Sequence, residues 1–286
     1  MCPRPAPLLV TGMPRSGTTW LARLLSCAAG TALAGREPMN PRGSQYALGG
    51  TLDGWTRLRE PSRQQRRRLN TAYRGLNPLV YSRYGNRQWA APLPSTRMIV
   101  KDPFALLSLP MLTSVTGALP VIVYRHPGAM LASFRRVGWA ANPVELQQLE
   151  RIPSTHGGGA TRWPADEVGN LGATWAALYR MALEDLSSLP AAMVVSHEEL
   201  ATGGESAAKA LFAAVSLTWS DSAARFFGGG AASAENSSAL HNLDRSPAVV
   251  ANAWRAKVDA GDVAVLEAGA GDVLEELNRR RFRLLT

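Results

Sequence analysis

An α/β fold, a mostly parallel sheet flanked by helices, is what this chain predicts, on three observations. Short apolar runs recur at residues 8–10, 97–101, 119–125 and 192–196 with helical patterns between them, the alternation of a parallel sheet covered on both faces. Two of these runs pass directly through a loop or turn into a helix pattern, near Gly12 and near Arg125. The 286 residues and 46% apolar content suit one large domain with its own core, and residues 1–286 are read as a single domain.

The elements follow in order. Leu8, Leu9 and Val10 form the first strand, and residues 18–29 the helix after its loop. A second strand is expected to end near Glu37. Residues 41–94 are rich in Arg, Gly, Tyr, Trp and Pro, with a helical stretch at 61–75. They interrupt the alternation and are read as a helical and loop lid over the nucleotide side of the sheet. Residues 97–101 form the next strand, and 104–115 a helix broken near Pro110. The strand 119–125 leads into a helix over 127–137, with Pro127 at the first position, where a missing N–H costs nothing. Residues 166–186 form a long amphipathic helix, 192–196 the last strand, and 206–215, 247–258 and 262–281 further helices. Gly157, Gly158 and Gly159 read as a joint, and residues 228–245 as a mobile loop.

The first loop carries the most chemistry. Gly12, Met13, Pro14, Arg15, Ser16, Gly17, Thr18 and Thr19 join an apolar strand to a helix, an arrangement that cradles phosphate oxygens with backbone N–H groups at the positive end of a helix. It makes the sheet a P-loop NTPase-like one. The ATP-binding template G-x-x-x-x-G-K-[ST] would place Lys where Thr18 stands, and Arg15 supplies the cation instead. The loop is therefore suited to a phosphate-like group other than the metal-bound triphosphate of ATP.

Residues Pro14-Arg15-Ser16-Gly17-Thr18-Thr19-Trp20 resemble the 5′-phosphosulfate loop of the sulfotransferases that use 3′-phosphoadenosine 5′-phosphosulfate (PAPS), with Arg15 in the position of a Lys. A second block is similar to the family's 3′-phosphate site: the strand Val121-Ile122-Val123-Tyr124 ends on Arg125, and Ser133 follows eight residues later. The resemblance runs from Leu8 to about Arg255. It implies a bacterial small-molecule or carbohydrate type of enzyme that moves a sulfuryl group in line from PAPS to a hydroxyl or amine, releasing the bisphosphate PAP. It implies cofactor contacts from Arg15, Ser16, Gly17, Thr18, Thr19, Trp20, Arg125 and Ser133. Arg245, in a late block with Trp254 and Arg255, stands for the family's C-terminal loop, although the usual Lys-Gly pair is absent.

Charge growing on the leaving phosphate is assigned to Arg15 and Lys101. Lys101 lies at a strand end and precedes Arg125 by 24 residues, as a family Lys does; its structural alternative is an ion pair with Asp102. In the cytosolic branch a His follows two residues after that Lys, and here the position is Pro103. Other branches place a Glu about 18 residues after the loop, and Glu37 follows Thr19 by 18. Glu37 is thus the expected base, with an ordinary pair to Arg36 as its alternative and Asp102 as second candidate. Two other readings stay open: a small-molecule kinase on the same fold, and a nucleotide-binding module without catalysis.

Composition excludes several classes. No stretch approaches the ~18–20 apolar residues of a membrane span. The N-terminus runs directly into the first strand and shows no signal-peptide pattern, so the expected location is cytoplasmic. Cys2 and Cys27 are the only cysteines, too few for a disulfide framework, and the four histidines show no metal-ligand spacing. No metal is expected. Net charge is +9, almost all of it arginine, which suits a polyanionic cosubstrate. The runs Arg66-Arg67-Arg68 and Arg279-Arg280-Arg281 read as a solvated helix face and a tail, and no nucleic-acid partner is expected.

Overall fold

The computed structural model describes residues 4–42, 46–153, 163–229 and 251–284. Six strands form one sheet: β1 (Leu8–Thr11), β2 (Thr31–Gly35), β3 (Tyr81–Asn86), β4 (Arg97–Lys101), β5 (Leu119–Tyr124) and β6 (Met193–Ser196), in the order β3-β2-β4-β1-β5-β6. Every neighbouring pair is parallel except β2 and β3.

Side chains on a strand alternate between faces, and here each face has its own cover. Leu8, Val10, Val121 and Val123 pack with Leu21, Leu24 and Leu25 of α1 (Thr18–Leu25), and with Leu211 and Phe212 of a later helix, Gly204–Ala214. Leu9, Val100 and Ile122 point the other way. They meet Leu69 of α2 (Arg63–Tyr73), Leu112 of α3 (Leu109–Thr116), Met130 of α4 (Pro127–Arg136) and Leu178 of a long helix, Glu167–Leu186.

The helices after α4 are α5 (Pro143–Glu150), α6 (Glu167–Leu186), α7 (His197–Thr202), α8 (Gly204–Ala214), α9 (Asp221–Phe227) and α10 (Ala260–Arg280). Starts follow capping chemistry. Ser62 accepts from the Gln65 N–H, and the Gln65 side chain returns a bond to Ser62. Asp166 caps α6, and Ser196 caps α7. Apolar periodicity does not announce α5, α7 and α9, which are short and local. The expected break near Pro110 falls at Ser108, because a 3-10 turn over Pro103–Leu107 precedes α3 and Pro110 sits in the first turn of that helix.

The segment 41–94 does more than cover the sheet. It supplies α2 and the antiparallel edge strand β3, and its Trp55 and Tyr73 are buried in the core. Its Tyr84 and Trp89 stand open to solvent. The joint at 157–159, the loop at 230–245 and the start of the helix expected at 247 lie outside the described residues.

Parallel strands bring their C-terminal ends to one edge. Thr11, Gly35, Lys101, Tyr124 and Ser196 therefore share that edge, and β1 sits with β4 on one side and β5 on the other. This is the switch point at which open α/β sheets hold ligands.

Candidate active site

The loop after β1 is shaped by backbone that only particular residues tolerate. Gly12 has φ +148°, and a Cβ there would lie 2.1 Å from the Val123 carbonyl oxygen, so the loop presses directly on β5. Gly17 caps α1 at φ +103°, where a Cβ would lie 2.3 Å from Cδ2 of His197. Arg15 itself holds φ +79°, unusual for a residue with a side chain.

The loop is tied down from beneath. The Met13 N–H donates to the Tyr179 hydroxyl at 3.1 Å, which in turn donates to Val123 O at 2.7 Å. Burial pushes the Tyr179 phenol well above its ordinary range, keeping it a neutral relay. The N–H groups at the start of α1, Thr18 and Thr19 among them, have no side-chain cap, as an anion cradle requires. Trp20 is half-buried and packs against Phe227, His197 and Phe226 at centroid distances of 5.7, 6.2 and 6.5 Å.

Arginines converge beside this loop. Arg15 Nε donates to Ser133 Oγ at 3.3 Å, and its guanidinium lies 5.7 Å from the Trp139 ring centre. Arg125 is buried at the end of β5, with Nε 3.7 Å from Glu198 Oε1 and its carbonyl accepting from the Trp175 indole. Burial lowers the Arg15 pKa, and the charges of Arg136 and Arg125 lower it further. Arg125 is lowered by burial, with Glu198 opposing and Arg136 reinforcing. Buried cations set beside one another fit a multiply charged anion, whose arrival relieves both the repulsion and the desolvation.

A second cluster forms where β2 and β4 end. Glu37 and Lys101 are ion-paired with each other, and Lys101 also acts on the buried Asp102 through its charge. Asn40 Nδ2 donates to Glu37 Oε2 at 2.6 Å. Both members of the pair keep a small opening to solvent, 17% for Glu37 and 18% for Lys101.

Asp102 is fully buried and holds backbone with both oxygens, accepting from Met39 N–H at 2.6 Å and Phe104 N–H at 3.0 Å. Burial, reinforced by the nearby Glu37 charge, raises its pKa to about 8 despite those donors and Lys101. The geometry is that of a clamp between the strand end and the loop carrying Glu37.

The structure thus brings Arg15, Ser16, Gly17, Thr18, Thr19, Arg125 and Ser133 together at one edge, with Glu37 and Lys101 at the adjoining strand ends. Arg245 lies outside the described residues. Its neighbour in the late block, Trp254, stacks on His126 at 4.6 Å, with the Arg255 guanidinium 4.7 Å from its ring centre. Sequence reasoning missed Arg136 and Asn40 and assigned His197 no part. Arg136 had a legible signal, one helical turn beyond Ser133 on α4. Asn40 and His197 had none, since a Gly17–His197 contact exists only in three dimensions. Burial lowers the His197 pKa to about 3, so its ring is a neutral wall. Among the described residues, no group of His, Cys, Asp and Glu could hold a metal, and no helix is long and apolar enough to cross a membrane.

A phosphate-type loop at the switch point of a P-loop-like α/β sheet, with arginines at the next strand end, defines a class of group-transfer fold. The chain belongs to the sulfotransferase family, whose model matches residues 7–221. Among solved structures it is similar to the sulfotransferase domain from the Synechococcus PCC 7002 olefin synthase, at 15% identity over 93% of this chain and 95% of that one, with a TM-score of 0.47. It is also similar to the sulfotransferase STF1 from Mycobacterium tuberculosis H37Rv, at 19% identity over 77% of this chain and 70% of that one, with a TM-score of 0.39. Comparison with curated proteins gives no match.

Proposed function

We propose that the chain transfers a sulfuryl group from PAPS to a hydroxyl or amine of a small-molecule or carbohydrate-type acceptor and releases PAP. One observation carries this reading: the loop's Arg15 and α4's Ser133 meet beside Arg125, with Arg136 near both arginines. A nucleotide with phosphate groups at both its 5′ and 3′ positions needs two anion contacts about one ribose apart, and this cluster joins the two halves.

PAPS supplies the sulfuryl group. The N–H groups of residues 17–19 and the Arg15 guanidinium hold the 5′ end, and Arg125, Ser133 and Arg136 take the 3′-phosphate. Trp20 borders the base. Lys101 turns its ammonium between Glu37 and the leaving oxygen, neutralising charge as it grows. Glu37, held by Asn40 and left a small opening to solvent, takes the acceptor proton. Asp102 clamps the loop that carries it. We read residues 41–94 as the lid of the site.

Calorimetry tests the cosubstrate. PAP is expected to bind without magnesium and far more tightly than ADP, and Arg125→Ala should cost PAP ten- to hundredfold, about 1.5–3 kcal/mol, while sparing ADP. Preference for ATP with magnesium would overturn the reading in favour of a kinase. Tight PAP binding with no label moving from [35S]PAPS to any of a broad acceptor panel would favour a module without catalysis.

A further inference from the structure

Of the large apolar side chains open to solvent among the described residues, most fall between positions 76 and 93: Leu76, Leu79, Tyr84, Trp89 and Leu93, with Trp89 79% exposed. They lie on one short stretch of chain. A Cβ on Gly75 would lie 2.6 Å from that of Ala91, and the Tyr81 hydroxyl donates to Gly75 O. The turn after α2, the start of β3 and the 3-10 turn over Gln88–Ala90 therefore meet at one junction, with Leu76 and Trp89 close to it along the chain.

The charge along this stretch of chain has one sign. No Asp or Glu occurs between Glu60 and Asp102, while eight arginines lie between Arg63 and Arg97. Arg63, Arg66, Arg67, Arg74 and Arg83 are exposed. Arg83 lies over the Tyr84 ring at 4.9 Å and donates to its hydroxyl at 2.7 Å, which fixes an aromatic and a cation side by side.

We propose that this face seats on the surface of an anionic lipid bilayer. Trp and Tyr are amphipathic and favour the headgroup level. Leucine tips reach the acyl boundary, and arginines collect anionic headgroups, the two signals that stable peripheral binding needs. A second copy of the chain is a poor occupant. Two identical faces would oppose five cations with five, and Arg83 with Tyr84 on the edge strand β3 blocks strand addition. A nucleic acid would satisfy the arginines but leave three leucines without apolar partners. The surface adjoins the candidate site, since the Arg36 N–H donates to Val80 O, one residue from Glu37.

Co-sedimentation of the full chain with vesicles tests this. Binding is expected to phosphatidylcholine vesicles containing phosphatidylserine, to be weak on phosphatidylcholine alone, and to fall with salt. Trp89→Ala should weaken binding about tenfold. The double variant Arg66→Gln with Arg67→Gln should weaken it about 25-fold, at roughly fivefold per arginine. Arg279→Gln with Arg280→Gln, at the far end of α10, should change little. All these side chains are exposed, so circular dichroism should be unaltered. Absence of vesicle binding at low salt would overturn the proposal. So would retained binding by Trp89→Ala with displacement by single-stranded RNA, which points to nucleic acid, or a Trp89-dependent dimer in sedimentation velocity.

Discussion

Replacing Glu37 by Gln removes a proton acceptor while keeping the side chain's shape. In the folded protein Glu37 holds Lys101 through one oxygen and receives Asn40 through the other at 2.6 Å. The amide oxygen of Gln can keep one of these bonds, and Lys101 loses its counter-charge. The pair is more than four-fifths buried, so the loss should cost about 1–2 kcal/mol of stability, a shift of several degrees in Tm for a domain of this size. The variant should therefore be folded at the assay temperature. If Glu37 takes the acceptor proton, kcat should fall by about 10²-fold or more, with PAP affinity unchanged. The measurement is single-turnover transfer from [35S]PAPS to whichever acceptor the wild type labels. A second readout is independent of acceptor identity. The Glu37 charge helps to raise the Asp102 pKa, so that pKa should drop in the variant, read from the pH dependence of stability. Unchanged kcat together with a lowered Asp102 pKa would refute the catalytic role while leaving the geometry intact.

Gly17→Ala puts a Cβ against His197 at a positive φ and should cost about 1–3 kcal/mol and weaken PAP binding; His197→Ala in the same chain should restore part of both, as measured by urea midpoint and calorimetry. Asp102 binds its proton more tightly folded than unfolded, where its pKa is about 4. The stability it contributes is therefore complete below about pH 4, declines as pH rises, and is gone above about pH 8. One proton gives a slope of up to about 1.4 kcal/mol per pH unit, so Asp102→Asn should flatten urea midpoints across that window. A slope the same in both proteins would show that other groups set it.

How much was legible depends on the range of the interaction. Strands β1, β4, β5 and β6, the helices α1, α4 and α6, and the loop at 12–19 are readable from the chain alone, because apolar period, capping residues and the Gly12 and Gly17 positions act within a few residues. Edge strand β3 was hidden in a segment read as a lid. Its Arg83, Tyr84 and Gly85 carry no apolar alternation, and pairing with β2 makes it a strand. Trp55 and Tyr73 lie in that same segment, yet their neighbours in space place them in the core.

The local order of residues by itself determined a parallel-type α/β chain, a phosphate-type loop with Arg15 in place of the Walker Lys, and a strand ending on Arg125. All of these are set by spacing along one strand, turn or helix. Only tertiary structure decided that Glu37 pairs with Lys101, that Asp102 spends both oxygens clamping backbone, and that Arg136 and His197 border the loop. Parallel strands distant in sequence deliver their ends to one edge, and which charges meet there depends on sheet order, which no single segment encodes.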